Sequence, residues 1–181
     1  MNVNVRGLSS MKSVVCQEPW IESMANGLIY EVTELMSGIT LAGCPLAPPQ
    51  AERLQSMEYF LAEVNGDLDI HMQLWADTPI LNRLAENMIG GPPEDQEEVN
   101  EYATEYVNVL CGRFLSEICR HMKAKVEFFF PQYQSLPNEA RPYPDGGMTA
   151  LCHTDETNNG LEEMVVFSWV VRSEKQEHKT N

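Results

Sequence analysis

The chain has no apolar run near the roughly 18 residues that a membrane span needs. Its opening MNVNVRGLSSMKSVVCQEPW holds too short an apolar stretch for the core of a secretion signal. Together these exclude a membrane-embedded protein and point to a cytoplasmic one. Basic residues are scarce: 12 Lys and Arg stand against 27 Asp and Glu, a formal net charge of -15. That leaves no footprint to neutralise phosphates, so nucleic acid is not an expected partner. The five cysteines, Cys16, Cys44, Cys111, Cys119 and Cys152, are odd in number and contain no C-x-x-C pair. Cys111 and Cys119 are too far apart along one helix to bridge, so reduced thiols are expected. Metal-ligand spacing is missing too. Cys152 and His153 are adjacent, and neither His71 nor His121 belongs to a motif with metal-ligand spacing, so no metal is expected. Low-complexity runs and internal repeats are also absent.

What is present suits one globular domain. The chain has 181 residues, 43% hydrophobic and 22% charged, with a mean hydropathy of -0.30. Residues 1–18 lack periodicity and read as an arm or a loosely docked strand, 19–172 as the domain, and 173–181 as a charged flexible tail. Pro19 fits a helix's first turn, and Ile21, Met24, Leu28, Val32 and Leu35 recur at helical spacing up to Gly38. The connector Cys44–Pro49 is too proline-rich for regular structure. Two strands, Met57–Val64 and Leu68–Trp75, are predicted around the hairpin signal Asn65-Gly66-Asp67. His71 falls on the polar set of the second strand and reads as a surface residue. Asp77 is placed to cap a second helix that ends at Gly90.

A third helix begins in the acidic run Glu94–Glu98, where carboxylates favour the positive end of the helix dipole, and runs to His121 or Lys123. A strand Val126–Phe130 closes at Pro131, and a polar loop, Gln132–Gly147, follows. The last hairpin pairs Met148–His153 with Met164–Val171 through a turn near Asn158-Asn159-Gly160. This order of elements predicts an α+β domain with a mostly antiparallel sheet packed against long helices.

The third helix has two distinct faces. At 100° per residue, Val99, Ala103, Tyr106, Leu110, Phe114 and Ile118 share one side, which is the core face. Glu101, Glu105, Asn108 and Gly112 gather on nearly the opposite side. A carboxylate and a carboxamide one turn apart, with no packing duty, suit holding a water and a cation. Gly112 costs about 1 kcal/mol relative to Ala in mid-helix. Either a neighbouring helix packs closely there, or a notch beside Asn108 serves a partner.

From Leu84 to Pro131 the chain resembles the CheC/CheX/FliY family of chemotaxis phosphatases, which act on the response regulator CheY. The family pattern is Asp or Ser, three residues, Glu, two residues, Asn, then 22 residues and Pro. Glu105, Asn108 and Pro131 match at that spacing, and Gly112 also looks like the family. The prelude NRLAENMIGGPPEDQEEVNEYATEYVNVLCGRF is similar as well, and the order of elements extends the likeness over most of residues 19–171. The single motif copy is closest to CheX. One position departs from the pattern: Glu101 stands where the family has Asp or Ser.

The resemblance implies a homodimer with a CheX-like fold and an exposed motif helix. It implies removal of phosphate from the aspartyl phosphate of a CheY-like receiver domain. Asn108 would position the attacking water, Glu105 would grip the receiver's lysine, and Glu101 and Gly112 would meet the partner. No cofactor of its own is expected, since the receiver supplies Mg2+. Two rivals stand beside this reading. One is a non-catalytic CheX-like module that binds receiver domains or flagellar switch components. The other is a thiol enzyme using Cys119 or Cys152.

Overall fold

The longest strands follow directly from alternation. In Leu68–Ala76, every second residue from Leu68 to Leu74 is buried, while Asp69, His71 and Gln73 stay half-exposed. Its antiparallel partner is Glu58–Gly66, with Tyr59 opposite Trp75 and Val64 opposite Ile70. Only Asp67 separates the two, because Gly66 takes φ 142, a region closed to most L-residues, and lies against the Lys125 carbonyl.

The computed structural model describes residues 14–15, 18–43, 49–134, 146–155 and 161–173. In chain order the elements are β1 (Val14–Val15), α1 (Pro19–Ser37), β2 (Ala42–Gly43), α2 (Ala51–Gln55), β3 (Glu58–Gly66), β4 (Leu68–Ala76), α3 (Thr78–Ile89), α4 (Gln96–Met122), β5 (Val126–Phe128), β6 (Gln132–Tyr133), β7 (Gly147–Asp155) and β8 (Leu161–Ser173). The expected turn at Asn158–Gly160, most of the Cys44–Pro49 connector, Cys16 and the charged tail from residue 174 lie outside the described residues, as do positions 135–145 of the polar loop.

All pairings among the described strands are antiparallel. The order is β2-β7-β8-β4-β3-β5, with β6 continuing beside β3 and β1 beside β8. The α+β expectation therefore holds, and residues 14–15 make the docked strand that the arm permitted. Gly147 faces Trp169 so closely that any Cβ there would collide with the indole.

The helices cover one face of the sheet. Ile21, Ala25, Ile29 and Val32 of α1, Ile80 and Leu84 of α3, and the inner side of α4 meet Phe60, Ile70, Leu74, Phe167 and Val171 in one core. A second, smaller cluster forms on the other face, where Leu54 of α2 and Met57 meet Tyr59, Trp75 and Val166. Chain breaks fall where the local chemistry demands them. Gly38 and Gly90 close α1 and α3 with left-handed backbone, each donating its N–H to the carbonyl four residues back.

Three expectations are corrected. Asp77 occupies the cap position of α3, yet its carboxylate does not cap the helix. It accepts instead from Arg53 and from the Met164 N–H at 2.8 Å, because a buried carboxylate is better served by a cation and a strand amide. Burial still outweighs these partners and holds the Asp77 carboxyl above its ordinary value. The strand predicted over Val126–Phe130 stops at Phe128, and Gln132–Tyr133, read as loop, pair with β3. The short helix α2, next to the proline-rich connector, escaped the sequence reading altogether.

Candidate functional site

The helix that carries the site, α4, is started as its composition requires. Asp95 accepts from the Glu98 N–H at 3.0 Å, and the Glu98 carboxylate reaches back to the Glu94 N–H at 2.6 Å. This variant of the capping box satisfies amides that the first turn leaves open. At the far end Lys123 takes φ 52 and donates its backbone N–H to the Cys119 carbonyl. The helix spans 27 residues, on the order of 40 Å.

Its inner face is locked. Val99, Ala103, Tyr106, Leu110, Phe114 and Ile118 are all buried, as the periodicity predicts. The buried arc is wider than one stripe, because α1 and α3 flank the helix and also cover Val107, Cys111 and Leu115. Phe114 packs edge-on to Phe167 at 5.2 Å between ring centroids. The Tyr106 phenol lies 2.8 Å from the Thr33 hydroxyl of α1, and burial pushes its pKa above the ordinary value. Outside the core, Arg113 donates to Glu31 at 2.7 Å and His121 stacks on Trp20 at 4.5 Å, which pins the C-terminal half of α4 to α1.

The outer face is the reverse. Glu101 and Glu105 are exposed and Asn108 is half-buried. Asn108 Nδ2 donates to Glu105 Oε2 at 3.5 Å, the outer limit of a hydrogen bond. The pair is thus adjacent but loosely held, and Asn108 Oδ1 has no partner among the described residues. A carboxamide in that state can accept from one group and donate to another while staying neutral. Around Gly112 nothing among the described residues lies within 4 Å of where a Cβ would stand. Close helix packing is therefore not what Gly112 serves within the chain. It leaves a notch, one turn along from Asn108.

Glu101 does not join the Glu105–Asn108 contact. It lines an open hollow of about 340 Å³ with Glu97, Asn100, Thr104 and Phe130. Of these, the sequence reading had singled out only Glu101. Phe130 is 59% exposed and Phe129 is 47% exposed. The signal was three phenylalanines in a row before Pro131, more apolar surface than an edge strand can bury on one face. Pro131 itself is buried.

The thiol rival gains nothing from these surroundings. Burial holds the Cys119 thiol above its ordinary pKa, with the Asp67 charge adding to it, and burial alone does the same to Cys111. Cys152 is buried in β7, and its neighbour His153 sits 3.1 Å from the Thr40 carbonyl through Nδ1. Adjacent strand residues point to opposite faces, so this histidine is no base for that thiol. His71 is half-exposed on the sheet beside Asp69 and Glu63, as a surface residue. No group of three or more His, Cys, Asp or Glu among the described residues is arranged to hold a metal ion.

The chain is thus an antiparallel sheet under long helices, with Glu105 and Asn108 side by side on the outer face of α4. A family model described as "Chemotaxis phosphatase CheX" matches residues 59–147, from β3 to the start of β7. Solved structures share the fold. The chemotaxis protein CheX from Desulfovibrio desulfuricans is 13% identical, with a TM-score of 0.58 over 83% of this chain and 99% of its own. A chain of the CheX–CheY–BeF3–Mg complex from Borrelia burgdorferi is 12% identical, with a TM-score of 0.61 over 83% of this chain and 97% of the matched one. FliY from Thermotoga maritima is 16% identical, with a TM-score of 0.54 over 86% and 91% of the two chains. At such identities these likenesses show the fold. No curated protein matches the sequence. The family-model match from β3 to β7 and the shared fold support assignment to the CheC/CheX/FliY family.

Proposed function

We propose that the protein is a phosphatase for the aspartyl phosphate of a CheY-like receiver domain, with Asn108 positioning the attacking water. The observation that carries this reading is the Glu105–Asn108 pair. It lies on the outer face of α4, is held among the described residues by one long contact, and stands at the family spacing from Pro131. The match to the CheX family model and the CheX–CheY complex among the structural neighbours support the choice of partner.

The chemistry follows from what an acyl phosphate lacks. It hydrolyses slowly in a receiver pocket unless a water lies in line with the phosphorus. The receiver brings Mg2+ to neutralise the phosphoryl oxygens, so the phosphatase needs to add only position and a neutral hydrogen-bonding group. Asn108 meets that need without placing a second negative charge beside the phosphate. Glu105 carries the charge, and its task is to grip the lysine of the receiver's site and so fix the approach of Asn108. Gly112 leaves room for the partner backbone. No cofactor belongs to the phosphatase itself.

The acting unit is a homodimer in the cytoplasm, as the family likeness implies. No described helix is long and apolar enough to cross a membrane. A second reading, a binding module without catalysis, draws on one observation: Glu101 puts a longer arm where the family has Asp or Ser, and it points its contacts toward the hollow instead of the Glu105–Asn108 pair. The test is loss of label from a phosphorylated receiver domain of the same organism. Acceleration by the protein supports the phosphatase. Complex formation without acceleration replaces it with the module.

A further inference from the structure

Phe129 and Phe130 remain unexplained by the Glu105–Asn108 chemistry. Phenylalanine is a residue that chains bury, yet these two are among the few large apolar side chains left exposed among the described residues. They are not on a loose loop. β5 pairs with β3 up to Phe128, the Phe129 N–H donates to the Glu63 carbonyl at 3.2 Å, and β6 pairs with β3 again from Gln132. Buried Pro131 fixes the step between them. The chain thus holds two aromatic rings out at the sheet edge beside α4, anchored on both sides.

Across from Phe130, the hollow is lined by Glu97 and Glu101. Neither carboxylate is ion-paired among the described residues. An aromatic ring facing two unpaired carboxylates selects its occupant. A purely apolar side chain would strip water from the carboxylates without return, and an acidic one would be repelled. A long cationic side chain satisfies both walls, with its methylene stem on the ring and its charge shared between the ring face and the carboxylates. Glu101 is one turn before Glu105, about 6 Å along the axis, so a single docked domain reaches the hollow and the Glu105–Asn108 pair together.

We infer that Phe130, Glu97 and Glu101 form a docking ledge that seats an arginine or lysine from the rim of the receiver's phosphorylation pocket. The inference rests on the receiver-phosphatase reading and adds a second attachment point to it. The ledge sets which receiver is accepted, while Asn108 sets how fast the accepted one loses phosphate.

The test is calorimetric binding of a beryllofluoride-loaded receiver domain to wild type, Phe130→Ala and Glu97→Gln, with phosphate loss measured alongside. Phe130→Ala should bind about tenfold more weakly, as loss of an aromatic anchor does, and should melt like wild type because the ring is exposed. Glu97→Gln should bind more weakly at low salt and lose part of the salt dependence. If wild type accelerates phosphate loss but Phe130→Ala binds equally tightly, the ledge is wrong and the phosphatase stands. If wild type binds without accelerating while Phe130→Ala binds weakly, the ledge stands and the phosphatase falls. Absence of both binding and acceleration in wild type overturns both. A change in oligomeric mass for Phe130→Ala with unchanged receiver binding overturns the ledge, since a second copy of the chain is then its occupant.

Discussion

The two faces of α4 share one backbone and have opposite requirements. On the inner face each side chain is explained by what it touches. Phe114 meets Phe167, Tyr106 meets Thr33, and Ile118 is fully enclosed. On the outer face the described residues give no packing reason for Glu105, Asn108 or Gly112. Among the described residues the carboxamide is held by a single 3.5 Å contact, and the glycine has open space where a side chain would be tolerated. The inner face explains the fold, and the proposed receiver would explain the outer one. The inner face also makes the outer one precise. The ties to α1 and the sheet fix the direction in which Asn108 is presented, which is what a positioning catalyst requires.

Substitutions on the two faces should therefore separate stability from receiver chemistry. The largest effect is expected inside. Phe114→Ala should cost about 3–5 kcal/mol in denaturant unfolding, because the aromatic cluster cannot close over the cavity. A loss below about 1 kcal/mol would mean that the core face is less tightly packed than described. Tyr106→Phe comes next, at about 1–3 kcal/mol near neutral pH, since Thr33 loses a buried partner. This deficit should shrink in alkali. The buried Tyr106 phenol is held above its ordinary value of 10.0. Wild-type stability from this group is thus complete below about pH 10 and is lost as the pH rises further, because only the unfolded phenol ionises freely. Urea titrations of both proteins at pH 8 and pH 11 check the narrowing.

Outside, the signs change. Glu105→Ala should weaken receiver binding and slow phosphate loss by about tenfold, with unfolding free energy within about 0.5 kcal/mol of wild type. Equal binding would remove Glu105 from the interface. The smallest and sharpest effect belongs to Gly112→Ala. It should stabilise the helix by about 1 kcal/mol, since the added methyl meets nothing among the described residues, and yet bind receiver less well. A variant both more stable and equally tight would show that the notch has no occupant.

Much of this division was legible before any coordinates. Period 3.6 separated Val99, Ala103 and Tyr106 from Glu101, Glu105 and Asn108, and period 2 exposed β4, because both signals are local. What stayed hidden depended on distant parts of the chain. β8 takes the place between β7 and β4, and β1 and β6 add short pairs to strands far away in sequence, none of which leaves a local trace. Asp77 read as a cap because its partners, Arg53 and Met164, are remote. Gly112 needed the structure to show that its surroundings are open. Phe129 and Phe130 were read as strand because their composition is strand-like, and only the break between β5 and β6 turns them outward.

The central claim is that Asn108 supplies catalysis and nothing else. Its direct test is the single-turnover rate of phosphate loss from a saturating complex of phosphorylated receiver with wild type and with Asn108→Ala. The account predicts a fall of about 100- to 1000-fold in Asn108→Ala, the usual consequence of removing one preorganised polar contact, with the melting curve unchanged. Equal rates in the two proteins would contradict it.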